Sequence, residues 1–143
     1  MNKNQQEPAL SGDGKKLAVI VDQLGRPTVQ LKDLPSGRRL PLRHLSRYQP
    51  HSSPSLSWNG RYLALITQRG NRRIAVIEDL LTGRIHSLPL LGDREPYLLS
   101  LSPDGKKLAV QVTNKGKWQV KIFDLTQILE PDKPAGAIRK AEL

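Results

Sequence analysis

The chain has 143 residues, of which 37% are hydrophobic, and its 23 lysines and arginines outnumber 13 aspartates and glutamates to give a formal net charge of +10. This length suits one ordinary domain, the charge favours anionic partners, and the absence of cysteine excludes disulfides, thiol catalysis and cysteine-bound metals. No run approaches the roughly 20 apolar residues of a membrane-spanning helix, and the first ten residues lack the apolar core of a signal peptide.

The first 52 residues predict a set of short strands joined by tight turns. A strand at residues 7–11 leads through the turn "GDGK" into the apolar run "KLAVIV", and then through Gly25 into "TVQLKD" and a fourth strand, "RRLPLRHL". Aspartate and glycine favour such turns because aspartate bonds its own backbone and glycine tolerates positive φ. The near-continuous apolar run indicates a strand that is buried on both faces.

The same pattern returns twice along the chain. The second copy reads "SPSLSW", "WNGR", "YLALIT", "IAVIED" and "RIHSLPLL"; the third reads "EPYLLSLS", "PDGK", "KLAVQV" and "QVKIFD", and its fourth strand is missing or disguised. The turn glycines Gly14, Gly60 and Gly105 are 46 and 45 residues apart. A period of this length built from short strands is typical of β-propeller blades. The sequence therefore predicts an all-β fold of three four-stranded antiparallel blades of about 45 residues.

The repeat also predicts the domain boundaries. We expect an N-terminal tail at residues 1–6, blades at about 7–52, 53–94 and 95–126, and a C-terminal tail at 127–143 that is either helical or a docked strand. Two prolines interrupt regular structure in that tail.

The text "S-x-D-G-K-K-L-A-V", followed by a glycine hairpin and an apolar triplet leading to "D-L-x-T/S-G", resembles the blade repeat of TolB-type β-propellers over roughly residues 7–126. The resemblance implies the propeller fold and a place in the periplasm or cell envelope. It specifies no single function, because this repeat also occurs in accessory domains of peptidases. A native start at Met1 without a leader would instead imply the cytoplasm, and the sequence leaves both locations open.

Three blades make half of a ring, because closed propellers need at least about four. Each terminal blade is therefore expected to expose an apolar face that demands a partner. Two chains related by a two-fold axis would complete a six-bladed ring, so we expect a homodimer or a larger complex. The alternatives are a fragment, a half propeller covered by a larger protein and a distorted three-bladed monomer.

No motif predicts catalysis, a cofactor or a metal. The stretch around Gly105 lacks both the earlier glycine and the following serine or threonine of a phosphate loop, and no G-x-S-x-G elbow is present. The histidines His44, His51 and His86 have no carboxylate at ligand spacing. The expectation is a non-enzymatic protein.

We therefore expect a protein-binding or scaffold module that is part of a cell-envelope assembly and whose basic residues steer an acidic protein partner. Nucleic acid or an envelope polymer is the alternative ligand, with steep salt dependence as its signature, and an accessory propeller of a hydrolase is the second alternative. The candidate partner-binding residues are aromatic or basic residues near predicted turns, since tryptophan and arginine are enriched in interface hot spots: Trp58, Trp118, Arg69, Arg72, Arg73, Lys115 and Lys117.

Overall fold

The structure, a computed structural model, describes residues 4–42, 45 and 49–134. These residues form eleven β-strands: β1 Gln5–Leu10, β2 Lys16–Gln23, β3 Arg26–Asp33, β4 Arg39–Leu40, β5 Ser52–Leu56, β6 Tyr62–Arg69, β7 Arg72–Asp79, β8 Arg84–Leu88, β9 Glu95–Leu101, β10 Lys107–Asn114 and β11 Lys117–Asp124. Within the described ranges, no helix has the length and apolarity to cross a membrane.

The strands form three antiparallel sheets, in the orders β1-β2-β3-β4, β5-β6-β7-β8 and β9-β10-β11. Within each sheet, strands that follow one another in the chain are therefore neighbours, as in propeller blades. This confirms the predicted all-β fold of three blades. The third blade departs from the four-stranded expectation, because the chain turns away after Asp124 and residues 125–134 add no strand to it.

The blades stack in chain order, and the middle blade is buried on both faces. Side chains alternate across a strand, so Leu63 and Leu65 of β6 pack towards the first blade while Ala64 and Ile66 turn the other way. The first interface contains Ala18, Ile20, Val29, Leu31, Leu63, Leu65 and Val76. The second contains Tyr62, Ala64, Ala75, Ile77, Leu108, Val110 and Val112. Burial of β6 on both faces thus explains its uninterrupted apolar sequence.

Side-chain hydrogen bonds join the first strands of the three blades. The Glu7 carboxylate accepts from the Ser53 amide at 2.9 Å, and the Ser53 hydroxyl accepts from the Leu99 amide at 2.9 Å. Glu7 and Ser53 both lie at β-bulges and have positive φ values of 51° and 52°. Because bulges release backbone groups from the ladder, the Ser53 amide is available to bond Glu7 of the neighbouring blade.

The residues around Gly105, which include two lysines, form the turn between β9 and β10. The Ser102 hydroxyl donates to Asp104 at 2.8 Å, and Asp104 accepts from the Lys106 amide at 2.9 Å. The hydrogen bond from the Lys106 amide is the main cause that holds the pKa of Asp104 below its ordinary value. Ser11 and Asp13 repeat the hydroxyl-to-carboxylate bond in the first blade at 2.7 Å. The glycine and lysines therefore belong to a turn that joins two strands in each of these blades.

The middle blade builds the same turn with a carboxylate from elsewhere. Asn59 occupies the position of Asp13 and Asp104, and Asp132 accepts from the Asn59 amide at 2.8 Å and from its side-chain nitrogen at 2.9 Å. The Ser57 hydroxyl also donates to Asp132. The carboxylate that the repeat lacks here is thus supplied by a residue 73 positions later.

The chain after β11 reaches that turn by crossing back over the second interface. Leu125 and Leu129 are buried in its core, and the Tyr62 hydroxyl donates to the Glu130 carbonyl at 2.7 Å. Residues 125–134 are docked through these contacts, yet they form neither helix nor strand. The rest of the predicted tail, residues 135–143, lies outside the described residues.

Candidate binding surface between the second and third blades

Six of the seven candidate binding residues lie at the same end of the blades. We call the end that carries the β2–β3, β6–β7 and β10–β11 turns the upper end, and the opposite end the lower end. Arg69, Arg72 and Arg73 flank the β6–β7 turn, and Lys115, Lys117 and Trp118 flank the β10–β11 turn. The structure thus brings together residues that are about 45 positions apart, because the repeat places equivalent turns side by side.

Three side chains form a ladder from the second blade to the third. The guanidinium carbon of Arg73 lies 4.2 Å from the centre of the Tyr97 ring, and that ring meets Trp118 edge to face, with centroids 4.8 Å apart and an interplanar angle of 84°. Both geometries are attractive. Glu95 accepts from the Arg73 amide at 3.3 Å. The Arg73–Tyr97–Trp118 ladder therefore holds Trp118 in place although 58% of it is exposed.

A groove of about 270 Å³ lies beside the ladder, and we call it the arginine groove. The Arg72 guanidinium donates to the Gly92 carbonyl at 2.7 Å and so ties the β8–β9 loop to the β6–β7 turn. Arg69 donates to the Ser87 hydroxyl at 3.2 Å. The groove is lined by Arg69, Arg72, Arg73, Ile74, Leu88, Pro89, Leu90 and Arg94.

The charge of this groove is largely uncompensated. Among the described residues, Arg73 has a carboxylate at ion-pair distance, with its Nε 4.0 Å from Glu95, whereas Arg69, Arg72 and Arg94 have none. Arginine presents a planar set of donors that matches a carboxylate or phosphate. The groove therefore combines apolar lining residues with donors suited to an anion.

Trp58 lies at the lower end, apart from the other six residues. It is partly buried, and a Cβ added to Gly12 would come within 2.5 Å of its ring. Its amide donates to the Pro103 carbonyl at 2.6 Å, and its carbonyl accepts from the Asp13 amide at 2.9 Å. Trp58 thus links the first turns of all three blades, and Gly12 makes room for its ring.

The lower end also holds a charged cluster whose groups bind one another. Arg61 donates to both carboxylate oxygens of Asp79, at 3.1 and 3.0 Å, and to Glu130 at 2.9 Å. Burial would raise the pKa of Asp79, but hydrogen bonds led by those from Arg61 outweigh it and hold the pKa below its ordinary value. The cluster fastens residues 125–134 to the middle blade.

The histidines are dispersed. His51 is buried at the upper end, where its Nδ1 accepts from the Val29 amide at 3.0 Å, and His86 lies on β8. His44 lies outside the described residues. Across 4–42, 45 and 49–134, no three histidine, aspartate or glutamate side chains are grouped so that they could hold a metal ion.

Sequence reasoning missed Arg94, Glu95 and Tyr97, which complete the upper surface. Tyr97 belongs to the predicted strand "EPYLLSLS", but a register shift in this part of β9 turns it towards Arg73. A proline at the start of that strand was a visible signal for an irregularity. The partner of the tyrosine was not visible, because Arg73 belongs to another blade.

A second exposed surface is the outer face of the third blade. Leu98, Val120 and Ile122 are each more than half exposed there. This agrees with the expectation that a terminal blade exposes an apolar face.

No family model matches the chain, and neither does any curated protein. Solved structures do match. TolB from Acinetobacter baumannii is similar with a TM-score of 0.66 and 21% identity, over 88% of this chain and 31% of that one. The fold is that of TolB-like propeller blades.

Other matching structures belong to proteins of different kinds. The β-propeller domain of the Trilobed protease from Pyrococcus furiosus has a TM-score of 0.66 and 18% identity, over 95% of this chain and 44% of that one. An oligogalacturonate lyase in complex with manganese has a TM-score of 0.61 and 12% identity, over 87% and 34%. The chain spans less than half the length of each of these three structures. The shared fold therefore does not decide between binding and catalysis.

Proposed function

We propose that this chain is a non-enzymatic propeller module that binds an acidic protein at its upper end. The observation that supports this most is the exposed Trp118, held by the Arg73–Tyr97–Trp118 ladder beside an arginine groove with little carboxylate compensation. The TolB-like blades favour a cell-envelope assembly as the setting.

The physical case rests on preorganisation and charge. A ring that is already held by neighbours loses little side-chain entropy on binding, and desolvated tryptophan and arginine side chains dominate many interfaces. The net charge of +10 raises the rate of encounter with an acidic surface. The partner segment is one that places carboxylates on Arg69 and Arg94 and an apolar side chain on Trp118.

An anionic polymer is the second candidate, and the charge of +10 together with Lys115 and Lys117 at the adjacent turn favours it. The two candidates differ in salt dependence. For each phosphate neutralised, the logarithm of the binding constant falls against the logarithm of the salt concentration with a slope of about −0.9 for duplex DNA or about −0.7 for a single strand. A protein partner anchored on Trp118 instead retains its apolar contribution to binding at high salt. If the module is the accessory propeller of a hydrolase, the captured partner will carry a catalytic domain.

The test is capture on the immobilised chain from separate envelope and cytosolic fractions of the source organism. Each captured protein is then purified and its affinity is measured. The surface variant is Arg69→Glu with Lys117→Glu. The matched control is Lys15→Glu with Arg38→Glu, which changes the net charge equally but lies at the lower end.

We expect the surface variant and Trp118→Ala each to weaken binding by about tenfold or more, and the control to change it by less than about threefold. Equal losses in the surface variant and the control would contradict a defined site. Binding of a fluorescent single-stranded oligonucleotide with a steep salt slope, without a protein partner, would favour the polymer.

A further inference from the structure

Equivalent positions of the third strand differ in exposure from blade to blade. In the first two blades, the residues that face the next blade are buried. In the third blade the same positions are open to solvent. The equivalent pairs, with their exposed fractions, are Val29 (8%) and Leu31 (0%), Ala75 (1%) and Ile77 (0%), and Val120 (65%) and Ile122 (61%).

The opposite face of the stack is incompletely covered as well. Leu63 and Leu65 of the middle blade face the preceding blade and are fully buried. Their equivalents in the first blade, Leu17 and Val19, are only partly buried. Among the described residues, the third blade thus has an open face that would contact a following blade. The first blade has an incompletely covered face that would contact a preceding blade.

We propose that these two faces bind each other between two copies of the chain, with the third blade of each copy on the first blade of the other. The same kind of interface already forms twice within the chain, from the first blade to the second and from the second to the third. Two such contacts related by a two-fold axis close a ring of six blades. The chain covers 44% of the Trilobed propeller domain, so two copies supply nearly the length of one whole propeller.

The ring is compatible with binding at the upper end. The position of Trp118 is occupied by Pro27 in the first blade and Arg73 in the second, which follows from the strand registers. Pro27 is exposed and Arg73 is only partly buried although each has a next blade. This position therefore lies at the rim of an interface, and Trp118 stays accessible in the ring.

One residue of the open face departs from the repeat. Gln111 stands where the other blades have the buried Ile20 and Ile66. An amide in an apolar interface costs free energy unless it is bonded. Gln111→Ile is therefore expected to tighten the dimer.

The test is the mass of the 143-residue chain by native mass spectrometry and sedimentation velocity at micromolar concentration. We expect a species of twice the 16.0 kDa chain mass. Ile122→Lys and Val19→Lys are each expected to weaken the dimer by about 100-fold or more, because each places a charge in an apolar interface. The control is Leu81→Lys, at an exposed turn of the middle blade, which is expected to remain dimeric.

Circular dichroism tests whether each variant is folded. If Val19→Lys is unfolded, Lys32→Glu replaces it, because Lys32 is exposed on the same face of the first blade. A mixture of Val19→Lys and Ile122→Lys chains keeps one intact interface and is expected to recover part of the dimer. A wild-type monomer at about 100 μM, or open polymers in place of dimers, would overturn the proposal. Dissociation by Ile122→Lys but not by the first-blade variant would also overturn it. Neither result would affect the separate test of partner binding at the upper end.

Discussion

The middle and third blades have the same repeat but different neighbours. Ile77 and Ile122 are the same residue at the same position of the third strand, yet the first is fully buried and the second is 61% exposed. Residue type therefore does not decide burial here; the presence of a following blade does. An apolar repeat therefore specifies an interface at every blade, including the one that the described chain leaves open.

Truncation of these two isoleucines should affect stability very differently. Ile77→Ala should lower the free energy of unfolding by about 2–5 kcal/mol, because it leaves a cavity in the core. Ile122→Ala should change it by less than about 0.5 kcal/mol. Urea unfolding followed by circular dichroism, at a concentration where the chain is monomeric, measures both. Similar losses at the two positions would mean that the outer face of the third blade is covered.

The first turns of these blades differ in where their carboxylate comes from. Asp132→Ala should cost about 1–3 kcal/mol of stability, because it leaves the buried Ser57 hydroxyl and the partly buried Asn59 amide without their acceptor. Adding Asn59→Asp restores the residue found at Asp104, so it should recover part of the loss. If Asn59→Asp has no effect in the Asp132→Ala background, the carboxylate of the tail does not replace that of the repeat.

Much of the fold could be predicted from the sequence, because three copies in phase leave few alternatives to propeller blades. The turn sequences with aspartate or asparagine before glycine predicted the hairpin between the first and second strands of all three blades. The hairpins between second and third strands were less regular than they looked. Gly70 falls one position earlier in its turn than Gly25 and Gly116, as the strand registers place it with Leu24 and Lys115.

Contacts between blades could not be predicted, since nothing in the repeat states which side chains meet. Asp132 looked like part of an irregular tail, and only the folded chain brings it to Asn59. The ladder likewise needs Tyr97 from a shifted part of β9 to touch Arg73 of another blade. Arginines and a tryptophan near turns were visible in the sequence, but their convergence at one end depends on stacking.

The two blades also differ in how their third-strand aspartates are bound. Hydrogen bonds from Thr126 hold the pKa of Asp124 below its ordinary value. For Asp79, burial opposes a low pKa, but the bonds from Arg61 prevail. A lowered folded pKa means that the unfolded chain binds more protons, so stability present above the ordinary aspartate pKa of about 3.9 is lost as pH falls below it.

We therefore expect the free energy of unfolding to decrease between about pH 5 and pH 3. Asp79→Asn should flatten this decrease more than Asp124→Asn does, because Asp79 is bound by an arginine in a buried setting. Urea unfolding across this pH range measures the slopes. A slope that is unchanged in Asp79→Asn would show that the Arg61–Asp79 pair does not contribute to the acid sensitivity.

Substitutions in the hairpins at the upper end should change stability only slightly. Gly70 and Lys115 occupy the same turn position and have positive φ values of 62° and 51°. Lys115→Asn should stabilise the third blade by about 0.5 kcal/mol, because asparagine before glycine suits this type of turn. Gly70→Lys should destabilise the middle blade by about 1 kcal/mol. Thermal unfolding measures both, and a stabilising Gly70→Lys would contradict the assigned turn geometry.

A site-specific cross-link tests whether the open face of the third blade binds the first blade of a second copy. The chain has no cysteine, so Val19→Cys and Ile122→Cys can be introduced into separate chains and mixed with a short bismaleimide. We predict a covalent dimer that contains one chain of each kind, and little product from either variant alone. Cross-linking of Ile122→Cys chains only to one another, or no dimer at all, would contradict the claim.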